Sequence, residues 1–226
     1  MSAVSLSSAL PRTEIEYPES DGQPMAETDT HRDEMIDVIA ELKERYRDDL
    51  QVYVAGNLLI YFEEGNPEKS VAPDVFVVFG VAKHKRRTYK IWEEGKAPDV
   101  VIEITSAKTR RQDREEKRVL YESLGVPELF LFDPLNEYLK PALQGFRLAG
   151  EYFTPLKPEQ SGQTWRLPSE VLKLELRAEG GHLRLFDREA ARYLLSPAEE
   201  AEARREAETE VERLKAELRK LRGESG

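Results

Sequence analysis

The chain has 226 residues, of which 39% are hydrophobic and 35% charged, and its formal net charge at pH 7 is -10. This composition suits one large domain and excludes a collagen-like fibre, a chain disordered throughout and a membrane protein, since no run approaches the roughly 20 apolar residues of a spanning helix. Cysteine is absent and no basic and apolar leader precedes the domain, so we expect a soluble cytoplasmic protein without disulfides, thiolate metal sites or a membrane partner.

The first predicted elements are a flexible arm and a helix. Residues 1–29 are rich in Ser, Pro and acidic side chains and have no apolar period, which is typical of a loose arm. Thr30 and Asp33 resemble a capping box, and apolar residues then recur at helical spacing: Met35, Val38, Ile39, Leu42 and Tyr46. The pattern predicts a helix that ends near Asp49.

Strands and a crossover helix are predicted next. The strand-like runs are 52–55, 58–62, 74–79, 100–105 and 129–132. The last three are almost continuously apolar, which favours strands buried on both faces. Between the last two runs, Thr109 and Gln112 form a capping pair and Gly125 provides a left-handed helix end. Strand, helix and strand then form a right-handed crossover unit.

Two hairpins and a charged helix are predicted for the remaining chain. The hairpins pair residues 146–148 with 152–153 and residues 172–177 with 183–186. From Pro197 the sequence is rich in Glu, Ala, Arg and Lys. Its apolar residues follow the three- and four-residue steps of a short coiled-coil seam, which predicts a homodimer: Val211, Leu214, Leu218 and Leu221.

These elements predict an α/β fold with a mixed β-sheet flanked by helices, added β-hairpins and a C-terminal charged helix. We divide the chain into an arm (1–29), a single domain (30–195) and a helical tail (196–226).

The acidic excess lies at the ends of the chain, and two basic clusters lie between them. Residues 1–30 carry six acidic side chains and one basic side chain. The first cluster contains no acid and consists of Lys83, Lys85, Arg86, Arg87 and Lys90; the second includes Lys108, Arg110 and Arg111. Each cluster is either a solvated face or a set of phosphate contacts, because local rather than global charge decides such binding.

The sequence lacks the motifs of several enzyme classes, which leaves carboxylate and lysine side chains as the candidate catalytic groups. The chain lacks GxxxxGK[ST] and GxGxxG phosphate loops and a GxSxG elbow, and its three histidines are scattered along the sequence. This distribution argues against a histidine metal site or a Ser–His pair.

Two carboxylates on neighbouring strands are the candidate acids. Asp74 follows Ala72-Pro73 at the start of an apolar run and is either a turn residue or a functional acid. Glu103 lies in mid-strand among β-branched residues, where burial is costly unless the carboxylate is paired, with an arginine for example, or bound to a cation. We give no role to Glu34 and Glu41, because they lie off the apolar face of the first helix.

The crossover helix has charge where apolar side chains are expected. Leu120, Tyr121 and Leu124 define its apolar face, and Lys117 and Asp113 fall in the middle of that face. Lys117 either extends along the helix to solvent or points toward Glu103 at the end of the sheet.

These residues occur in segments that resemble a known family. The segments are APDVFVV (72–78), APDVVIEITS (97–106), Lys117, Tyr121, GVPE (125–128) and FDP (132–134). They are similar to the signatures of the Uma-two family of restriction-endonuclease-like proteins, within the PD-(D/E)XK nuclease superfamily. The resemblance covers residues 30 to about 195.

The resemblance implies a metal-dependent endonuclease that hydrolyses DNA phosphodiester bonds with Mg²⁺ or Mn²⁺. Asp74 matches the first acid of the family and Glu103 the second, and we expect them to hold the ion together with the backbone carbonyl of Ile104. The basic clusters would contact the DNA backbone, and no residue indicates base readout.

One position departs from the superfamily pattern. A lysine usually stands two residues after the second acid, and here that position is Thr105. Lys117 is the candidate replacement, and Asp113, one turn earlier, would fix its ammonium. The alternative is a non-catalytic interaction protein in which the nuclease-like domain is a scaffold and the tail mediates assembly. Thr105 and the acidic chain ends favour this alternative, whereas the grouping of Asp74, Glu103 and Lys117 favours the enzyme.

Overall fold

The protein is described from a computed structural model. It covers residues 15–20, 22, 28–105 and 111–222, with the backbone alone for 111–114. The helices are α1 (Asp29–Arg45), α2 (Ile91–Glu94), α3 (Arg111–Ser123) and α4 (Pro197–Leu221). The strands are β1 (Val52–Ala55), β2 (Ile60–Tyr61), β3 (Ser70–Val71), β4 (Val75–Phe79), β5 (Tyr89–Lys90), β6 (Val100–Ile104), β7 (Glu128–Phe132), β8 (Leu143–Ala149), β9 (Tyr152–Pro155), β10 (Glu159–Ser161), β11 (Thr164–Ser169), β12 (Leu174–Glu179), β13 (His182–Asp187) and β14 (Arg192–Tyr193).

The central sheet has six strands in the order β1-β4-β6-β7-β8-β9. β6 and β7 run parallel, and the other neighbouring pairs are antiparallel. All five residues of β6 and of β7 are buried, as their continuous apolar runs predict. α3 connects the parallel pair and is followed by Gly125 with a φ of 74°. The expected crossover unit and mixed α/β architecture are confirmed.

A hydrophobic core lies on each face of the central sheet. On one face, Val38 and Leu42 of α1 pack with Val75 of β4 and Ile102 of β6. A second, antiparallel sheet in the order β10-β11-β12-β13-β14 completes this core. On the other face Tyr121 of α3 belongs to a separate cluster, together with residues of the small sheet β3-β2-β5. α1 is therefore held between two sheets.

Both predicted hairpins form, β8 with β9 and β12 with β13, and the charged tail is helical. α4 begins at a capping box of Ser196 and Glu199 and has no buried residue. Arg184 of β13 pairs with Glu199 at 2.8 Å, which attaches the first turn of α4 to the domain. None of the helices within the described residues has the length and apolar character needed to cross a bilayer.

The predicted ends of the first helix are wrong. The N-cap is Thr28, whose Oγ1 accepts a hydrogen bond from His31 N at 3.2 Å, whereas Thr30 lies inside α1. At the other end, Lys83 Nζ donates to the carbonyl oxygens of Tyr46 and Arg47 at 2.6 and 3.0 Å. This tertiary contact satisfies groups beyond the last helical turn, so α1 ends at Arg45 although the apolar period continues.

Part of the predicted arm is packed against the domain. Tyr61 OH donates to the carbonyl of Pro18 at 2.6 Å, and Tyr17 OH accepts from Gly65 N at 2.7 Å. The ring of Tyr17 also lies 5.0 Å from that of Tyr61. The expectation of a loose arm therefore fails for residues 15–20, because aromatic contacts offset their lack of an apolar period.

Candidate active site

Asp74 and Glu103 come together where β4 begins and β6 ends. The antiparallel ladder pairs Val75 with Ile102, so Asp74, one residue before β4, stands beside Glu103. Asp74 Oδ2 accepts a hydrogen bond from Ile104 N at 2.7 Å and lies 3.2 Å from His31 Nε2. Its side chain is 13% exposed. The sheet register thus brings together two acids that are separated by 28 residues in the sequence.

α3 brings a lysine and a tyrosine to Glu103. Lys117 Nζ lies 3.0 Å from Glu103 Oε2, and Tyr121 OH donates to Oε1 at 2.5 Å. The two side chains are one helical turn apart on the face that packs against the sheet. Lys117 therefore points toward the end of the sheet, and the buried Glu103 pairs with a lysine rather than with the arginine considered from the sequence.

Burial makes Glu103 a weak acid. The residue is 7% exposed, and this loss of hydration raises the pKa of its carboxyl group to about 7. The ammonium of Lys117 and the hydroxyl of Tyr121 lower the pKa, while the neighbouring Asp74 raises it. The carboxyl group can consequently gain or lose a proton near neutral pH.

The end of β6 places two further predicted groups beside the acids. The N–H and C=O of one strand residue point toward the same neighbouring strand, so the Ile104 carbonyl shares the Asp74 side with the Ile104 N–H. Thr105 follows directly, is buried, and donates its N–H to the Phe132 carbonyl at 2.6 Å. Its side chain has no charge to offer, and the ammonium in this region belongs to Lys117.

Three residues of the first basic cluster pair with acids that lie outside the cluster. Arg86 binds both carboxylate oxygens of Glu94, at 2.6 and 2.7 Å, and its side chain is only 3% exposed. This burial corrects the expectation that Arg86 contacts DNA. Arg87 pairs with Glu19, and Lys90 with Glu93 at 3.0 Å. The sequence did not reveal these pairs because the acids lie outside the cluster.

The second basic cluster lies largely outside the described residues. This applies to Lys108, Arg110 and the predicted cap Thr109. It also applies to the side chains of Arg111 and Asp113.

Sequence reasoning missed three residues of α1. His31 is 2% exposed and contacts Asp74, although its spacing of four residues from Met35 already placed it on the apolar face. Glu34 and Glu41 are also buried, at 5% and 2% exposure, contrary to the prediction that they lie off that face. Because α1 packs against both the central sheet and β13, its buried arc is wider than its apolar residues indicate. On this buried side of α1, Glu34 accepts a hydrogen bond from Leu183 N at 2.9 Å.

No group of three or more His, Asp or Glu side chains within the described residues is arranged to hold a metal ion by itself. A cation between Asp74 and Glu103 would therefore need further ligands from the main chain and from water.

The chain was compared with family models, solved structures and curated proteins. The family model of Uma2 (Uma-two), described as "Putative restriction endonuclease", matches residues 6–179. A solved structure of a putative nuclease belonging to DUF820, from Anabaena variabilis, is 15% identical with a TM-score of 0.48, over 66% of this chain and 76% of that chain. No curated protein matches significantly.

The mixed sheet and the family match together define a restriction-endonuclease-like protein. The chain belongs to the Uma2 family, as the resemblance of its sequence signatures predicted.

Proposed function

We propose that the protein is a metal-dependent endonuclease that hydrolyses phosphodiester bonds in DNA. The observation that carries the proposal is the ion pair of Lys117 with Glu103 beside Asp74, at the end of the parallel strand pair. Two acids and one lysine are the residue types that the superfamily uses for this chemistry, and membership of the Uma2 family supports the same activity.

The chemistry of the donor groups fits a divalent cation. Asp74 and Glu103 offer carboxylate oxygens, and Ile104 offers a carbonyl oxygen on the same side. Mg²⁺ prefers oxygen ligands and is commonly bound through one or two carboxylates while it keeps several waters, and Mn²⁺ accepts the same donors. A cation would also favour the ionised form of Glu103, which burial otherwise disfavours. When bound, it would polarise the scissile phosphate and acidify a water.

The side chains around the acids would position and neutralise the reacting groups. The Lys117 ammonium would orient the attacking water or neutralise negative charge that develops on the phosphate. Tyr121 would hold Glu103 in place through its 2.5 Å hydrogen bond, and His31 would do the same for Asp74. Asp113 would hold the Lys117 ammonium from one turn earlier on α3.

Cleavage of supercoiled plasmid in Mg²⁺ and in Mn²⁺ tests this proposal. We expect nicked and linear products from the wild type, and a rate reduced about 100-fold or more in Glu103→Ala and Lys117→Met. Arg118→Met, on the next residue of α3, is the matched control and should retain activity within a few fold. Equal products from the wild type and Glu103→Ala, or none from the wild type with either ion, would contradict hydrolysis at this site.

The second candidate function is a non-catalytic scaffold that assembles through α4. Thr105 at the superfamily lysine position favours it, and so does the exposure of the seam, where Val211, Leu214, Leu218 and Leu221 are 45–82% exposed. Under either function we propose a homodimer formed by this seam.

The charges beside the seam favour a parallel pair of α4 helices. With Val211 at heptad position a, Glu210 and Glu217 occupy g, and Lys215 and Arg222 occupy e. In a parallel pair in register, each g residue faces the e residue five positions later on the other chain. Glu210 then faces Lys215, and Glu217 faces Arg222. An antiparallel pair would place g beside g and e beside e, so that like charges meet.

A further inference from the structure

A basic groove runs along the edge of the central sheet. It has a volume of about 620 Å³ and opens between the end of α1, strand β1 and residues 83–86. No Asp or Glu of the described residues lines it, although the chain has 44 acidic against 34 basic residues. Its basic side chains come from two separate segments: Lys43, Arg47, Lys83, His84, Lys85 and Arg86.

The cations of the groove differ in availability. Arg86 is bound to Glu94, Arg47 to Glu44, and Lys83 to carbonyl oxygens at the end of α1. Lys43 and Lys85 are exposed and form no ion pair with any described residue. The groove therefore presents two uncompensated ammonium groups, which is the charge that a phosphate chain requires.

The groove borders the main-chain segment that carries Asp74. Its lining includes Gly56, and a Cβ at this position would lie 2.0 Å from the carbonyl oxygen of Asp74 and 2.6 Å from Ile39 Cδ1. The neighbouring Asn57 N donates to the Pro73 carbonyl at 2.8 Å. The wall of the groove at Gly56 thus packs against the main chain of Pro73 and Asp74 and against the side chain of Ile39.

We propose that this groove binds the phosphate backbone of DNA and leads it to Asp74 and Glu103. The inference rests on the endonuclease function proposed above and assigns the path of the DNA strand. It adds Lys43 and His84 to the DNA-contacting residues expected from the sequence and removes Arg86 from them. The apolar side chain of Leu58 in the lining suits the sugar faces between successive phosphates.

Salt-dependent binding of a labelled DNA duplex, measured by fluorescence anisotropy in Ca²⁺, tests the path without measuring cleavage. The variant is Lys43→Gln/Lys85→Gln. Its control, Lys157→Gln/Lys173→Gln, removes two exposed lysines that also form no ion pair with described residues. Lys157 follows β9, at the sheet edge opposite β1. Thermal unfolding of all proteins checks that the fold is retained.

We expect the groove variant to bind DNA at least about fivefold more weakly at moderate salt, and the slope of log affinity against log salt to fall by about 2. The control should match the wild type. Equal weakening in both variants, or no change in the groove variant, would overturn the proposed path. A wild type that does not bind DNA would overturn it as well.

The plasmid assay separates this result from the proposed reaction. If the wild type cleaves plasmid but the groove variant binds DNA as tightly as the wild type, the endonuclease proposal is supported and the groove proposal is contradicted. Binding that depends on Lys43 and Lys85, in a protein that does not cleave with Mg²⁺ or Mn²⁺, supports the groove and contradicts the hydrolysis.

Discussion

Glu41 and Glu103 are carboxyl groups that the fold removes from water. Glu103 has Lys117 and Tyr121 as partners, whereas Glu41 Oε2 has no hydrogen-bond partner among the described residues. Burial raises the pKa of Glu41 to about 8, against an ordinary value of 4.5, and the positive charge of Arg184 only partly opposes this. Burial therefore favours the protonated form of Glu41 near neutral pH, although the sequence suggested a solvent-facing carboxylate.

The protonation of Glu41 makes stability depend on pH. Since its pKa is raised on folding, the folded chain binds more protons than the unfolded chain between about pH 5 and 8, and the free energy of unfolding falls as pH rises through this range. We expect the wild type to lose about 3 kcal/mol more than Glu41→Gln between these pH values. Urea unfolding at both pH values measures the difference.

The exposed neighbour Glu44 provides the control for this experiment. Glu44→Gln should show the pH dependence of the wild type, because its carboxylate is solvated and pairs with Arg47. A Glu41→Gln variant with the same pH dependence as Glu44→Gln would contradict the buried neutral acid.

The start of α1 depends on which threonine provides the cap. Thr28 has an extended backbone and its side chain accepts a hydrogen bond from His31 N, whereas Thr30 is exposed in the first turn. We expect Thr28→Ala to reduce the free energy of unfolding by about 1 kcal/mol, because one N–H of the first turn loses its acceptor. Thr30→Ala should be neutral or slightly stabilising, since alanine has the higher helix propensity.

Chemical denaturation of the two threonine variants shows whether Thr28 or Thr30 is the N-cap of α1. A larger loss of stability in Thr30→Ala than in Thr28→Ala would restore the start expected from the capping-box pattern. Because His31 contacts Asp74, the Thr28 cap also supports the position of the candidate active site.

The assembly of the whole molecule depends on α4, which extends from the domain with its apolar seam exposed. Two heptads are marginal for an isolated coiled coil, so we expect a dimer that depends on concentration. Sedimentation velocity should show a mass that approaches twice 26.0 kDa as concentration rises. Leu214→Asp/Leu218→Asp should remain a monomer, because two charges enter the apolar seam of each helix.

Thr209→Asp/Ala216→Asp is the matched control for the dimer. Both residues occupy heptad position f, opposite the seam, so the same two charges should leave association unchanged. Equal masses for the seam and control variants at every concentration would exclude α4 as the interface.

The sequence by itself determined the elements and the principal candidates of the site. Continuous apolar runs indicated the buried strands β4, β6 and β7, and helical spacing indicated α1, α3 and α4. Glu103 and Lys117 were identifiable because each is a charged residue inside a locally apolar pattern, and Asp74 because it stands at the start of an apolar run. A pattern of this kind is short-range, and a single chain displays it without knowledge of what packs against it.

Only the tertiary structure decided which charges meet. His31 joins Asp74, Glu94 neutralises Arg86, and Glu41 loses its water because a second sheet covers α1. Each of these outcomes depends on residues from segments that the sequence pattern treats separately. Periodicity predicts which side of an element faces the core. The hydration of a side chain and the compensation of its charge depend instead on the segments that folding packs against it. Those segments determine the raised pKa of Glu41 and leave Lys43 and Lys85 without an ion pair among the described residues.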